Sequence, residues 1–336
     1  MFKIDNLIIG KLRTFIIAEI GINHLGSLHN CKKLINQAKK SGADAVKLQI
    51  SDPEYSYNKD TVSYKIFKKN RLSFEKLKKI KSYARKKKII LFATPGDFKS
   101  LEIIKRLNFP AIKISSGLMT NEALVSEIAK IKKPVIFSTG MAYMSEIKKI
   151  ISILKRNKNK YFAILKCTSL YPCPPNFVNL ISINNLKNKF PKIPIGFSDH
   201  TKSIDACIAA VALGAKIIEK HITLNKNFKV PDQKVSCDPK EFKLMVKKIR
   251  YIEQTIGKEN IFPTKEEIKK RNLYHRSIIT VKKISIGEKF DKNNIALKRS
   301  TGKKKGLHPK YFFKILGKKS KKNININTNL LKKHTL

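Results

Sequence analysis

The stretch Ile195-Gly-Phe-Ser-Asp-His200, answered downstream by Glu219-Lys-His221, decides the fold. Each is an apolar run that ends abruptly in side chains able to act as ligands. Ile193 to Ser198 reads as a short buried strand ending at Asp199 and His200, and Lys216 to Thr223 reads as a second strand. Between them, Ser203 to Gly214 has helical spacing, with Ala206, Cys207, Ala210 and Val211 on one face. Strand, helix and strand over about thirty residues form a βαβ unit, whose strands must be parallel. Parallel neighbours end side by side, so His200 and His221 project into one space. Two imidazoles there begin a divalent-metal site. The plainer reading is two histidines that happen to end strands.

The same unit recurs upstream. Apolar runs at Phe15–Ile20, Ala45–Ile50, Ile89–Thr94, Ala111–Ser116, Pro134–Gly140 and Phe162–Thr168 are separated by helical stretches, among them Leu28–Ser41, Phe74–Lys87 and Met144–Arg156. A last helix runs from Pro239 to Ile256 and ends at Gly257. Eight strands alternating with eight helices over about 245 residues predict a TIM (β/α)8 barrel. An open doubly wound sheet is the alternative, but no Gly-rich dinucleotide fingerprint follows a strand. The barrel is therefore placed at residues 1–257. Residues 258–272 read as a polar linker with some helical character, and 273–336 as a small β-rich domain with too little core to stand without a surface to lean on.

Composition narrows the function classes. The chain has 336 residues and a net charge of +48, with lysines spread evenly rather than gathered in a patch. Asn and Ile are over-used alongside Lys, as a coding bias toward A and T would produce. No zinc-finger, RRM or arginine-rich signature accompanies the charge, so specific nucleic-acid binding is not expected. No apolar run is long enough to cross a membrane, and the N-terminus lacks the organisation of a signal peptide. Five cysteines without a CxxC pair point to reduced thiols and a cytoplasmic protein.

In a barrel the chemistry lies at the C-terminal ends of the strands. Those ends carry Glu19, Asn23, His24, Lys47, Gln49, Thr94, Lys113, Ser116, Ser138, Thr139, Lys166, Thr168, Ser169, Tyr171, Ser198, Asp199, His200, Glu219, Lys220 and His221. Lys47 and Lys113 interrupt apolar strands, and a lysine so placed needs an anion. With the neighbouring hydroxyls they make a phosphate or carboxylate cradle facing the two histidines. The alternative is a set of structural salt bridges across the barrel interior.

The residues Phe15-Ile-Ile-Ala-Glu-Ile-Gly-Ile-Asn-His24, Val46-Lys-Leu-Gln49, Ile112-Lys-Ile-Ser-Ser-Gly117, Lys166-Cys-Thr-Ser-Leu-Tyr-Pro172, Gly196-Phe-Ser-Asp-His-Thr201, Glu219-Lys-His221 and Pro231-Asp232 resemble the sialic acid synthase family. The C-terminal part, through Arg276-Ser, Ile286-Gly-Glu, Leu297-Lys-Arg299 and Gly306-Leu-His-Pro, resembles its antifreeze-like (SAF) domain. The resemblance implies condensation of phosphoenolpyruvate with an open-chain N-acetylated amino sugar, assisted by Mn²⁺ or Mg²⁺. N-acetylmannosamine is the simplest co-substrate; a 6-deoxy di-acetamido hexose, as in legionaminate or pseudaminate synthesis, is the alternative. A basic nucleic-acid-associated protein on a decayed scaffold is the distant one.

The resemblance also implies residue roles. Lys47, Lys113, Ser116, Ser138, Ser169 and Ser198 would hold phosphoenolpyruvate, and His200 and His221 the metal. Glu19 would handle a water proton, Asp232 would stand near the metal and the sugar, and Tyr171, Glu219 and Gln49 would contact substrate. Arg299 would reach the sugar from the SAF domain of the partner subunit in a swapped homodimer. Four places depart from the family pattern: Ser300-Thr301 after Arg299, Leu118 at the end of the fourth strand, Gly96-Asp97 after Thr94-Pro95, and a short loop Ser51–Ser63.

Overall fold

The computed structural model describes residues 1–11, 13–228, 230–299 and 306–335. It divides into two units, Met1–Gly257 and Lys258–Leu336. The first opens with a hairpin of β1 (Phe2–Ile4) and β2 (Leu7–Ile9). Phe2, Ile4 and Ile9 from this hairpin are buried in the main core. Its strands are too short to show periodicity, which is why the sequence reading passed over it.

The barrel strands follow: β3 (Phe15–Gly21), β4 (Ala45–Ile50), β5 (Ile90–Pro95), β6 (Ile112–Ile114), β7 (Val135–Ser138), β8 (Phe162–Cys167), β9 (Ile195–Asp199) and β10 (Ile217–His221). They pair in parallel in sequence order, and β10 closes on β3. Continuous burial explains the runs of Ile, Val and Phe, because both faces of every strand are covered. Fully burying such a side chain contributes about 1.5–3 kcal/mol. The register of closure sets His221 opposite Glu19 and Glu219 opposite Ser198, so these side chains share one end of the barrel.

Helices start where capping residues allow. Ser27 caps α1 (Leu28–Lys40), and its hydroxyl accepts from the Asn30 amide. The connection after β4, expected as a loop, folds into α2 (Pro53–Ser56) and α3 (Val62–Lys69), capped by Asp52 and Thr61. Ser73 and Asp97 cap α4 (Phe74–Lys86) and α5 (Phe98–Leu107). Around the rest of the ring stand α6 (Glu122–Lys130), α7 (Met144–Arg156), α8 (Ser182–Lys189) and α9 (Asp205–Ala212). The last, α10 (Pro239–Thr255), begins in a capping box between Asp238 and Glu241. No helix among the described residues is long and apolar enough to cross a membrane.

In the second unit the segment read as a linker contains α11 (Lys265–Tyr274), started by a capping box of Thr264 and Glu267. It has no buried face to give a periodic apolar signal, so only the cap was legible. Antiparallel β11 (Arg276–Thr280) and β12 (Ile295–Arg299) pair Arg276 with Arg299. Ile278, Ile284, Phe290, Ile295, Leu307, Ile315, Ile324 and Leu330 form a separate small core. Ser300-Thr301 lies outside the described residues.

Candidate active site

The strand ends enclose a cavity of about 460 Å³. Lining it are Glu19, Lys47, Gln49, Thr94, Lys113, Ser116, Ser138, Ser169, Tyr171, Ser198, His200, Glu219 and His221, all singled out from the sequence. Its floor is a closed charge network. Lys47 Nζ lies 2.8 Å from Glu19 Oε2 and 3.1 Å from Glu219 Oε2. Lys113 Nζ lies 3.3 Å from Glu219 Oε1 and donates to Ser138 Oγ at 2.6 Å. Ser198 Oγ donates to Glu219 Oε1 at 2.9 Å. The lysines that interrupt β4 and β6 thus find their counter-charge in the protein. Glu219, expected against substrate, bridges both of them.

Burial and pairing set the proton affinities. Burial is the largest influence on Glu19 and, with the nearby Glu219, outweighs Lys47 and raises its pKa to about 7. Burial also dominates at Lys113 and lowers it to about 8 despite Glu219. At Glu219 burial opposes ionisation, but Lys113, Lys47 and the Ser198 hydroxyl together hold it well below the usual carboxylate range. The floor therefore combines a fixed anion with a carboxyl that exchanges its proton near neutrality, a pairing suited to acid–base work.

The histidines stand with ring centroids 5.6 Å apart, and Tyr171 stacks on His200 at 4.0 Å. His200 Nδ1 donates to the Thr168 carbonyl at 3.0 Å, which fixes the tautomer and leaves Nε2 as a lone-pair donor. His221 Nδ1 is buried without a hydrogen-bond partner, 3.6 Å from Asp232 Oδ2. Burial and the neighbouring His200 lower its pKa well below the ordinary value, so it stays neutral. Among the described residues no cluster of three or more His, Cys, Asp or Glu could hold a metal ion. The two imidazoles could serve as two of a divalent cation's ligands.

Some strand-end residues lie elsewhere. Lys220 Nζ donates to Asp199 Oδ2 at 2.7 Å and to the carbonyls of Thr201 and Ser203, and neither Lys220 nor Asp199 lines the cavity. Alternation along β9 and β10 turns them to the opposite face from Ser198, Glu219 and His221. Thr139, Lys166 and Thr168 border a neighbouring cavity. His24 Nδ1 accepts from the Gly26 amide at 2.9 Å. Asp232, on the turn Pro231–Val235, accepts from the Ile22 amide at 3.4 Å. Arg299 belongs to the second unit, where its guanidinium lies 5.4 Å from the Tyr274 ring centroid.

Not expected at the site from the sequence are Tyr57 and Phe67, whose rings stack 5.1 Å apart, and Met141 and Cys167; these line the cavity together with Leu118, the departure noted at the fourth strand. Tyr57 comes from the stretch Ser51–Ser63, expected as a loop, and Phe67 from α3 just beyond it. Cys167 follows Lys166 in a segment whose hydroxyls drew attention first. Its Sγ lies 3.6 Å from His200 Nδ1.

Residues 34–261 match the model of the NeuB family, and residues 275–334 match the SAF domain. The chain is 37% identical over 327 residues to the N,N'-diacetyllegionaminic acid synthase of Campylobacter jejuni, covering 93% of this chain and 97% of that one. It is 38% identical over 326 residues to the pseudaminic acid synthase of the same species, covering 93% and 94%. Among solved structures, the N-acetylneuraminic acid synthetase of Leptospira borgpetersenii superposes with a TM-score of 0.77 at 34% identity, covering 81% of this chain and 96% of that one.

Proposed function

Because the chain belongs to the NeuB family and a SAF domain follows the barrel in its sequence, we propose that it is a nonulosonate synthase. It condenses phosphoenolpyruvate with an open-chain N-acetylated amino sugar and releases phosphate. The observation that carries this reading is the buried floor, where Lys47 and Lys113 stand among hydroxyls beside the imidazoles of His200 and His221.

Phosphoenolpyruvate binds with its anionic groups on Lys47 and Lys113. Ser138 and Ser198 already sit in that network, and Ser116 and Ser169 converge beside it, with Ser116 Oγ accepting from the Gly140 amide at 3.0 Å. The incoming anion shares the lysines with Glu219, so binding exchanges one counter-charge for another rather than burying bare cations, which is costly. Carbon 3 of phosphoenolpyruvate then forms the new bond to the aldehyde carbon of the sugar, whose oxygen takes a proton from solvent, balanced by the one that the added water later loses. Carbon 2 becomes cationic, and Glu19 and Glu219 stabilise that charge. Water adds at carbon 2 and its proton passes to Glu19, whose pKa of about 7 suits the transfer. The tetrahedral intermediate expels phosphate and leaves the 2-keto acid. A divalent ion, Mn²⁺ or Mg²⁺, held by His200 and His221 would supply Lewis-acid polarisation of the sugar aldehyde. Tyr171, Gln49 and Asp232 orient the sugar, and the partner subunit's Arg299 reaches it in a swapped homodimer.

N-acetylmannosamine and a 6-deoxy di-acetamido hexose stand level as co-substrate. The legionaminic and pseudaminic acid synthases of Campylobacter jejuni favour the latter; the Leptospira synthetase favours the former. The deciding experiment is phosphate release from phosphoenolpyruvate with Mn²⁺, offering both sugars in parallel, with and without EDTA. EDTA-sensitive release with one sugar is the expected result and names the branch. No release with either sugar, from folded protein supplied with Mn²⁺, would overturn the proposal.

A further inference from the structure

The turn after β3 is built around Asp232, more than two hundred residues downstream. Gly21 takes a φ of +50° there, and a Cβ on it would stand 2.3 Å from Asp232 Oδ2. The carboxylate therefore occupies the space a side chain would need, and the Ile22 amide donates to the same oxygen at 3.4 Å. The next residue, Asn23, is fully buried and engages the far end of the Asp232 segment. Its Nδ2 donates to Ser236 Oγ at 2.8 Å and to the Ile222 carbonyl at 2.9 Å. Ser236 Oγ in turn donates to the Asp232 carbonyl at 2.6 Å.

We infer that Asn23 is a positioning residue for Asp232, acting through Ser236. The segment Pro231–Val235 is a 3-10 turn and not a barrel strand, so no sheet ladder fixes where its carboxylate points. A relay of buried hydrogen bonds fixes it instead. One Asn23 amide nitrogen ties the turn both to the end of β10, through Ile222, and to Asp232's own backbone, through Ser236. Losing the amide leaves Ser236 Oγ without its donor and lets the Asp232 backbone rotate away from the Gly21 cradle. A displacement of about 1 Å at a reacting centre costs on the order of 10²-fold in rate. None of the relay's hydrogen bonds involves Lys47 or Lys113. The inference rests on the proposed role of Asp232 at the sugar.

The test uses the full-length protein with Mn²⁺ and whichever sugar supports phosphate release. Asn23→Ala and Ser236→Ala should each lower kcat/KM for the sugar about 10- to 100-fold and leave the KM for phosphoenolpyruvate unchanged. The double variant should be no worse than Asn23→Ala alone, and Asn23→Ala should add no loss in an Asp232→Asn background, since groups acting through one another are not additive. Losses that multiply, or a phosphoenolpyruvate KM that rises in step, would mean a merely structural contact and overturn the inference. Should Asn23→Ala fail to fold, Ser236→Ala, which keeps the bond to Ile222, carries the test through its non-additivity with Asp232→Asn. Full activity in Asp232→Asn would instead remove the role on which the inference rests.

Discussion

Lys113 has lost nearly all contact with water, and its two partners are a hydroxyl and a carboxylate shared with Lys47. Burial lowers its pKa to about 8, although Glu219 favours the charged form. The unfolded chain therefore holds this proton more tightly than the folded one. Its linkage to stability makes the folded state more stable as pH rises from about 8 toward 10.5, the ordinary lysine value. Ligand binding has the opposite sign, because only the protonated amine attracts an anion. The affinity for phosphoenolpyruvate should fall above about pH 8 toward tenfold per unit, well before an ordinary lysine titrates. Calorimetry across that range checks it, and affinity that stays level up to about pH 10 would show that Lys113 does not bear the anion. Lys113→Gln should weaken binding at neutral pH and remove the slope. Lys47 and Lys113 were legible in the sequence because a charge inside an apolar strand requires a counter-charge or an anionic ligand. That their counter-ions are Glu19 and Glu219 was not, since such pairing crosses from β4 and β6 to β3 and β10.

At the scale of elements, two glycines show how the strands serve stability and site separately. A Cβ on Gly140, just past β7, would lie 2.1 Å from Ser169 Oγ and 2.7 Å from Ser116 Oγ. Both are hydroxyls at the ends of movable side chains. A Cβ on Gly196, inside β9, would lie 2.5 Å from the Ile217 carbonyl oxygen and 2.6 Å from Leu165 Cδ2, where backbone must give way. Gly140→Ala should thus fold normally but raise the KM for phosphoenolpyruvate roughly tenfold or more by displacing two hydroxyls of the cradle. Gly196→Ala should cost about 1–3 kcal/mol in stability through overpacking. Thermal melts and initial rates on both variants check the contrast, and an unchanged KM in a folded Gly140→Ala would remove Ser116 and Ser169 from the cradle. The alternation that makes Gly196 tight also explains what was misread. Strand and helix order followed directly from apolar runs and turn residues. Facing did not, because a strand buried on both sides carries no polar–apolar alternation. Lys220 and Asp199 therefore looked like site residues until their pairing on the helix side was visible. The hairpin β1–β2 and the short helices α2 and α3 were hidden for a related reason, being too brief for a period to emerge.

Over the whole molecule the net charge of +48 draws anions toward every surface, yet the cavity floor is balanced, two lysines against two glutamates. Long-range attraction can hasten the arrival of an anionic substrate; selecting it falls to the exchange of counter-charges inside the barrel. In the second unit, β12 holds Arg299 at the end of its pairing with β11. The family resemblance implies that this arginine serves the barrel of a partner chain, and complementation between two defective variants tests it. Arg299→Ala, assayed at low sugar concentration, and His221→Ala should each be nearly inactive alone. Their mixed dimers would contain one barrel with His221 intact beneath a SAF domain with Arg299 intact, and one site with neither. Random reassortment of a swapped dimer should then restore about a quarter of the wild-type activity. If Arg299 serves its own barrel, every site in the mixture lacks one of the two residues and nothing is restored. Measuring activity against mixing ratio, after subunit exchange verified with a mass-tagged chain, distinguishes these arrangements, and an unrestored rate in fully exchanged dimers would place the cap on its own chain.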